Sequence, residues 1–253
     1  MVQAFRWPLY LSLGMQKLDI LAFAAHPDDV ELSCSGTLIK HIKAGKRVGI
    51  VDLTQGELGS RGSVALRKAE AAQASTIMGI HYRANLGMRD GFFVNDEAHQ
   101  LAVIAQIRHT RPDVVLANAI EDRHIDHGRA AKLVADACFL SGLRQIKTSW
   151  EGKEQEAWRP RAIYHYIQDR YIKPDFVVDI TDYFEQKLQS IRAFGSQFYS
   201  ADSREPETPI SRPDFLEFIE ARAREMGRQV PVTYAEGFTT HRAPGVNDLM
   251  SLL

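Results

Sequence analysis

A near-continuous apolar run, Leu18–Ala25 (LDILAFAA), ends abruptly on His26-Pro27-Asp28-Asp29. A run of this kind reads as a strand covered on both faces, which is the signature of a parallel sheet. A parallel partner demands a crossover, and the chain supplies one. Leu38, Ile39 and Ile42 recur at helical spacing within Gly36–Ala44, Gly45-Lys46 provides a stop, and a second apolar strand follows at Val48–Leu53. The alternation continues with a helix over Val64–Met78 closed by Gly79, a strand at Tyr82–Leu86, a helix over Glu97–Thr110, a strand at Asp113–Asn118 (DVVLAN) and a helix over Asp126–Leu140. Such a pattern predicts a doubly wound α/β layer. After the polar loop Trp150–Pro160, strands are expected at Ala162–Ile167 and Phe176–Ile180. A helix then opens on the capping box Asp182-x-x-Glu185, with Phe184, Leu188, Ile191 and Phe198 on its apolar stripe, and a last helix covers Pro213–Met226. The whole reads as a single-domain, Rossmann-like three-layer sandwich with a mostly parallel sheet. No repeat or linker divides it, so residues 15–253 form one domain. Residues 1–14 carry one Arg and no small-residue cleavage site, and read as a non-native or mis-started leader.

Composition excludes several functions. The 253 residues are 45% hydrophobic and 25% charged, enough apolar material for a substantial core and too much for a disordered chain. Lys plus Arg number 31 against 32 Asp plus Glu, so no basic excess points to nucleic acid or an anionic membrane, and a small molecule is the expected partner. No apolar run approaches the ~20 residues of a transmembrane helix. The two cysteines, Cys34 and Cys138, form no C-x-x-C, which excludes a disulfide scaffold and a cysteine zinc knuckle and indicates a reducing cytoplasm. Both fall in apolar helical contexts as small buried hydrophobes. His-Pro-Asp-Asp occupies the turn where a dinucleotide fold would carry G-x-G-x-x-G, so Asp52 after the second strand does not signal NAD.

What composition leaves over is nine histidines. His26 stands with Asp28 and Asp29 where the first strand ends, and His124-Ile125-Asp126-His127 follows the strand Asp113–Asn118. Open α/β sheets bind ligands outside the carboxyl ends of strands where the winding reverses, a crevice that the first and fourth strands flank. The two clusters then face each other with three imidazoles and three carboxylates. That set suffices for a two-His, one-carboxylate metal site with a carboxylate and a histidine left for acid/base work. Either cluster alone also suits a capped turn; their joint placement is what favours a metal. His41, His81, His99, His109, His165 and His241 show no ligand-like spacing and receive no role. Gly56, Gly59 and Gly62 mark a loop beside the crevice.

The intact A-H-P-D-D and H-x-D-H motifs resemble those of the PIG-L or LmbE-like deacetylases, zinc-dependent hydrolases that remove the acetyl group from N-acetylglucosaminyl compounds. The resemblance runs from about Leu18 to Tyr234-Ala-Glu-Gly-Phe238. Asp52-Leu-Thr-Gln-Gly-Glu57-Leu-Gly, Leu66-Arg67-Lys and Glu121-Asp-Arg-His124 are similar to the bacillithiol-biosynthesis branch, which hydrolyses N-acetylglucosaminyl malate. The resemblance implies that His26, Asp29 and His127 bind zinc and that Asp28 is the general base acting on the zinc-bound water. It also implies that His124, kept charged and oriented by Asp126, stabilises the oxyanion. Arg67 and Arg123 match positions that the family uses near the substrate, the two guanidinium groups suiting malate carboxylates, and Tyr234 is a candidate for the pocket lining, with a core position as its alternative. Fe(II) fits the same ligand set. A homo-oligomer, with a hexamer as one form, is expected on the same ground. Three alternatives stay open: an amidase of thiol-S-conjugates, a deacetylase of another acetylated amino sugar, and a non-catalytic metal- or sugar-binding protein on the same fold.

Overall fold

The computed structural model describes residues 17–199 and 201–252, so the leader expected at residues 1–14 lies outside the described residues. In chain order the elements are β1 (Ile20–Ala24), α1 (Asp29–Lys43), β2 (Val48–Thr54), α2 (Val64–Met78), β3 (Tyr82–Met88), α3 (Glu97–Thr110), β4 (Val114–Ala117) and α4 (Ile125–Leu140). There follow a two-stranded hairpin of β5 (Ser149–Trp150) and β6 (Lys153–Glu154), then β7 (Ala162–Tyr166), β8 (Phe176–Asp179), α5 (Phe184–Arg192), α6 (Phe215–Arg228) and β9 (Ala235–Thr239). The main sheet has the order β3-β2-β1-β4-β7-β9-β8. Its first five strands are parallel, and β9 runs antiparallel to both β7 and β8. The expected single-domain α/β sandwich with a mostly parallel sheet is therefore what forms.

Strand β1 is buried at every position because both of its faces are covered. Leu21 and Phe23 pack with Val103, Ile107 and Val134 of α3 and α4, whereas Ile20, Ala22 and Ala24 pack with Val30, Cys34 and Leu38 of α1. The winding reverses between β1 and β4, which pair in register from Ile20↔Val114. The crevice beyond their carboxyl ends is thereby open to ligands, as the strand order predicts.

Three expectations need correction. Helix α1 starts at Asp29 rather than Gly36, because its first turns bury polar side chains that find partners elsewhere, Glu31 among them. The capping box at Asp182 does not form: Oδ1 of Asp179 accepts from the N–H and hydroxyl of Thr181, and the chain enters α5 through a 3-10 turn at Thr181–Tyr183, leaving Phe198 beyond the helix end. Strand β9 was not expected at all. Among the described residues, no helix is long and apolar enough to cross a membrane.

One buried ion triad ties the elements beneath the crevice together. Arg83 on β3 donates to Oε1 of Glu31 at 2.6 Å and to both oxygens of Asp52 at 2.9 and 3.0 Å, with all three side chains fully buried. Burial pushes both carboxyl groups up, and Arg83 opposes that rise. Removing one partner of such a network leaves an uncompensated buried charge, so Arg83→Met is expected to cost about 3–5 kcal/mol in denaturant unfolding. The carboxylates left behind have folded-state pKa values above their unfolded ones. Stability is then fully present at low pH and lost as pH rises, so the deficit relative to the unaltered protein should be larger at pH 8 than at pH 5. A deficit independent of pH contradicts this account.

Candidate active site and metal centre

The turn after β1 carries His26, Asp28 and Asp29. Asp28 has φ 123°, a conformation that costs a non-glycine residue on the order of 1–3 kcal/mol and persists only where its surroundings impose it. Asp29 opens α1, and both oxygens of its carboxylate are engaged. Oδ2 accepts from the His26 N–H and from Asn118 Nδ2, both at 2.9 Å, and Oδ1 accepts from Gln168 Nε2 at 3.1 Å. Nε2 of His127 approaches Oδ1 at 3.2 Å, and Nδ1 of His26 lies 3.7 Å from Oδ2. The opposite ring nitrogens have carboxylate partners of their own. His26 Nε2 meets Asp90 at 3.0 Å and Asp126 at 3.4 Å, and His127 Nδ1 meets Asp122 at 2.5 Å. Two nitrogens and a carboxylate thus converge, each imidazole braced from behind, which is the arrangement metal-ligating histidines adopt.

Charge supports the same reading. Burial works against the His26 and His127 cations, yet the surrounding aspartates raise His26 well above its ordinary value and His127 to about 9. Burial likewise opposes the Asp29 charge, and the two histidines outweigh it, holding that carboxyl well below the usual range. The cluster calls for positive charge that a divalent cation can supply in place of protons. One nitrogen each of His26, His124 and His127 lies within 4.8 Å of the others, and so does one donor each of His26, Asp90 and Asp126, whereas the set with Asp29 rests on its two pairwise approaches to His26 and His127. The residues present therefore fit a metal ion.

The other expected residues line up less evenly. Burial, with Asp29 nearby, raises the Asp28 carboxyl to about 7 against the opposing pull of Arg67, whose Nη2 donates to Asp28 Oδ2 at 3.2 Å. His124 caps α4, its Nδ1 accepting the Asp126 N–H at 3.3 Å. Its proton is then on Nε2, so the neutral imidazole remains a hydrogen-bond donor. Burial and the other two imidazoles lower its pKa, contrary to the expectation of a charged ring. The Asp126 carboxylate accepts from Gly91 N–H and Arg129, and it approaches His26 rather than His124. Arg123 pairs with Asp169 at 2.9 Å at the edge of the cleft. Tyr234 does not line the cleft: its ring stacks on Phe184 with centroids 3.9 Å apart, and its hydroxyl contacts Glu220 and Arg224. The cleft measures about 570 Å³ and carries His26, Asp28, Asp29, His124 and His127 in its wall.

Asp90, Asn118, Asp122 and Gln168 escaped the sequence reading. Asp90, Asn118 and Gln168 follow the carboxyl ends of β3, β4 and β7, so the rule that located His26 also covers them. Asp122 stands inside the Glu121–His124 stretch already singled out.

The family model for GlcNAc-PI de-N-acetylases, PIG-L, matches residues 21–138. A conserved protein from Thermus thermophilus has the same fold with TM-score 0.81 and 34% identity, covering 92% of this chain and 98% of that one. The chain belongs to the PIG-L family. Among its PIG-L relatives, a diacetylchitobiose deacetylase from Thermococcus kodakarensis is 29% identical over 189 residues, 71% of this chain and 70% of that protein. A Bacillus anthracis protein named "Probable N-acetyl-alpha-D-glucosaminyl L-malate deacetylase 2" is 25% identical over 196 residues, 71% of this chain and 81% of its own length. The expectation of an N-deacetylase accordingly stands at the level of the family.

If Asp122 braces His127 as a ligand, Asp122→Asn should weaken zinc binding about 10–100-fold, read by competition with a chelator, while the fold is kept. Unchanged zinc affinity would contradict the bracing role.

Proposed function

We propose that the protein is a metal-dependent N-deacetylase acting on an N-acetylglucosaminyl compound, with His26, Asp29 and His127 holding the metal. The observation that carries this reading is the Asp28 carboxylate, nearly buried in the cleft wall next to the convergent His26, Asp29 and His127 donors. Two imidazoles and a carboxylate suit zinc and also Fe(II); when bound, the ion polarises the acetamide carbonyl and lowers the pKa of its water toward ~7.

The chain's own groups divide the remaining work. Asp28, with Oδ2 engaged by Arg67, keeps Oδ1 to take the proton of the attacking water. His124 donates Nε2–H to the oxygen of the acetamide as negative charge develops there. The proton held on Asp28 then serves the departing amine. Asp126 acts on His124 through its backbone N–H, and its carboxylate helps brace His26.

The specific substrate we propose is N-acetylglucosaminyl malate, supported by the Bacillus anthracis relative and by Arg123 at the cleft edge. Arg67 also lines the cleft, its Nη2 engaged by Asp28. The two buried, unpaired cysteines favour a reducing, cytoplasmic setting.

Zinc-loaded protein should release acetate from N-acetylglucosaminyl malate faster than from N,N'-diacetylchitobiose or free N-acetylglucosamine. Asp28→Ala should keep its zinc and lose about 10²–10⁴-fold in turnover. Loss of zinc together with turnover would make Asp28 a ligand and overturn its assignment as base. Absence of acetate release from every member of the panel would overturn the function itself.

A further inference from the structure

Arg67 reaches Asp28 from the first turn of α2 with few anchors of its own. Nη2 carries both of its side-chain bonds, to Asp28 Oδ2 at 3.2 Å and to Gln197 Oε1 at 2.5 Å. Its buried Nε has no hydrogen-bond partner among the described residues. Nη1 lies against the backbone of Gly56, where an added Cβ would come within 1.9 Å, and Gly56 itself has φ +64°. The glycine therefore makes room for the guanidinium without holding it. Among the described residues, Gln197 is the hydrogen-bond partner that holds Nη2 besides Asp28.

The orientation of Gln197 follows from its surroundings. Its Nε2 faces two acceptors, the Arg61 carbonyl at 3.0 Å and Ser196 Oγ at 2.7 Å, and that hydroxyl spends its own proton on Glu70 Oε2 at 2.8 Å. The amide oxygen is thus left for Arg67. The segment carrying Gln197 is anchored without this amide. Ser196 N–H bonds Glu70 at 2.7 Å, and the buried Arg61 donates to the carbonyls of Ser196, Phe198 and Pro206 at 3.0, 3.2 and 3.0 Å.

We propose that Gln197 is a positioning residue for the deacetylation, setting the Arg67 guanidinium so that Arg67 in turn holds Oδ2 of Asp28 and leaves Oδ1 for proton transfer. The proposal rests on the reading of Asp28 as the base. A misplaced acceptor for the water's proton slows the chemical step without altering how substrate is held, so the effect belongs in kcat. Because Gln197 acts only through Arg67, its effect vanishes once Arg67 is gone, whereas a general contribution to folding would persist and add.

The test is a double-mutant cycle on the zinc-loaded full chain, with N,N'-diacetylchitobiose and N-acetylglucosaminyl malate as probes. Gln197→Met, which keeps length and removes the amide, should lower kcat about tenfold with KM within about twofold and zinc content unchanged. The double variant Arg67→Met/Gln197→Met should be no slower than Arg67→Met alone. Should Gln197→Met fail to fold, Gln197→Asn keeps an amide but withdraws its oxygen from Arg67 by one methylene, and is expected to show a comparable loss in kcat. Additive losses in the cycle, a change confined to KM, or an unaltered kcat in a folded Gln197 variant would overturn the proposal. No acetate release from the unaltered enzyme would remove the reading of the base, and this proposal with it.

Discussion

The Asp29 carboxylate lies between two imidazole nitrogens, Nδ1 of His26 at 3.7 Å and Nε2 of His127 at 3.2 Å, and the remainder of the site is arranged around that contact. Carboxylates and imidazoles this deeply buried are costly to keep charged alone, and here each answers another. Asp90 and Asp122 hold the outer nitrogens, Asn118 and Gln168 donate to Asp29, and the cluster as a whole favours added positive charge. The strained Asp28 is the member of this group whose carboxyl sits near neutrality, in keeping with a group that accepts and returns a proton.

The parallel half of the fold was legible because its strands are covered on both faces and its helices are bounded by glycines, as at Val64–Met78 with Gly79 in the left-handed conformation. The candidate ligands were legible because the strand order brings the ends of β1 and β4 together. Strand β9 was hidden for a physical reason. Its sequence, AEGFT, carries a charge and a glycine, and Glu236 is tolerated in the interior because Lys187 pairs with it at 2.6 Å and the N–H groups of Gly36 and Thr37 bond it at 3.0 and 2.7 Å. Those partners stand far away in the chain, so no local pattern announces them. Tyr234 was misplaced for the opposite reason: an aromatic beside a recognisable segment resembles a pocket residue, while packing on Phe184 is what employs it.

Much of the support for the family's amino-terminal motifs comes from beyond the matched residues 21–138. Gln168 reaches Asp29 from the end of β7, Gln197 reaches Arg67 from the segment after α5, and Lys187 donates to the Leu32 carbonyl one turn along α1 from Asp28. The carboxyl-terminal half thus acts as a frame that holds the turn after β1 in a conformation it would not adopt alone. The buried triad of Arg83, Glu31 and Asp52 does the same from beneath the crevice.

X-ray absorption at the zinc edge of stoichiometrically loaded protein tests the central arrangement most directly. Two imidazoles and oxygen donors at about 2.0–2.2 Å are expected, with His124 outside the coordination shell. Three imidazoles around the metal, the set that His26, His124 and His127 could also provide, would contradict that arrangement and take His124 away from the acetamide oxygen.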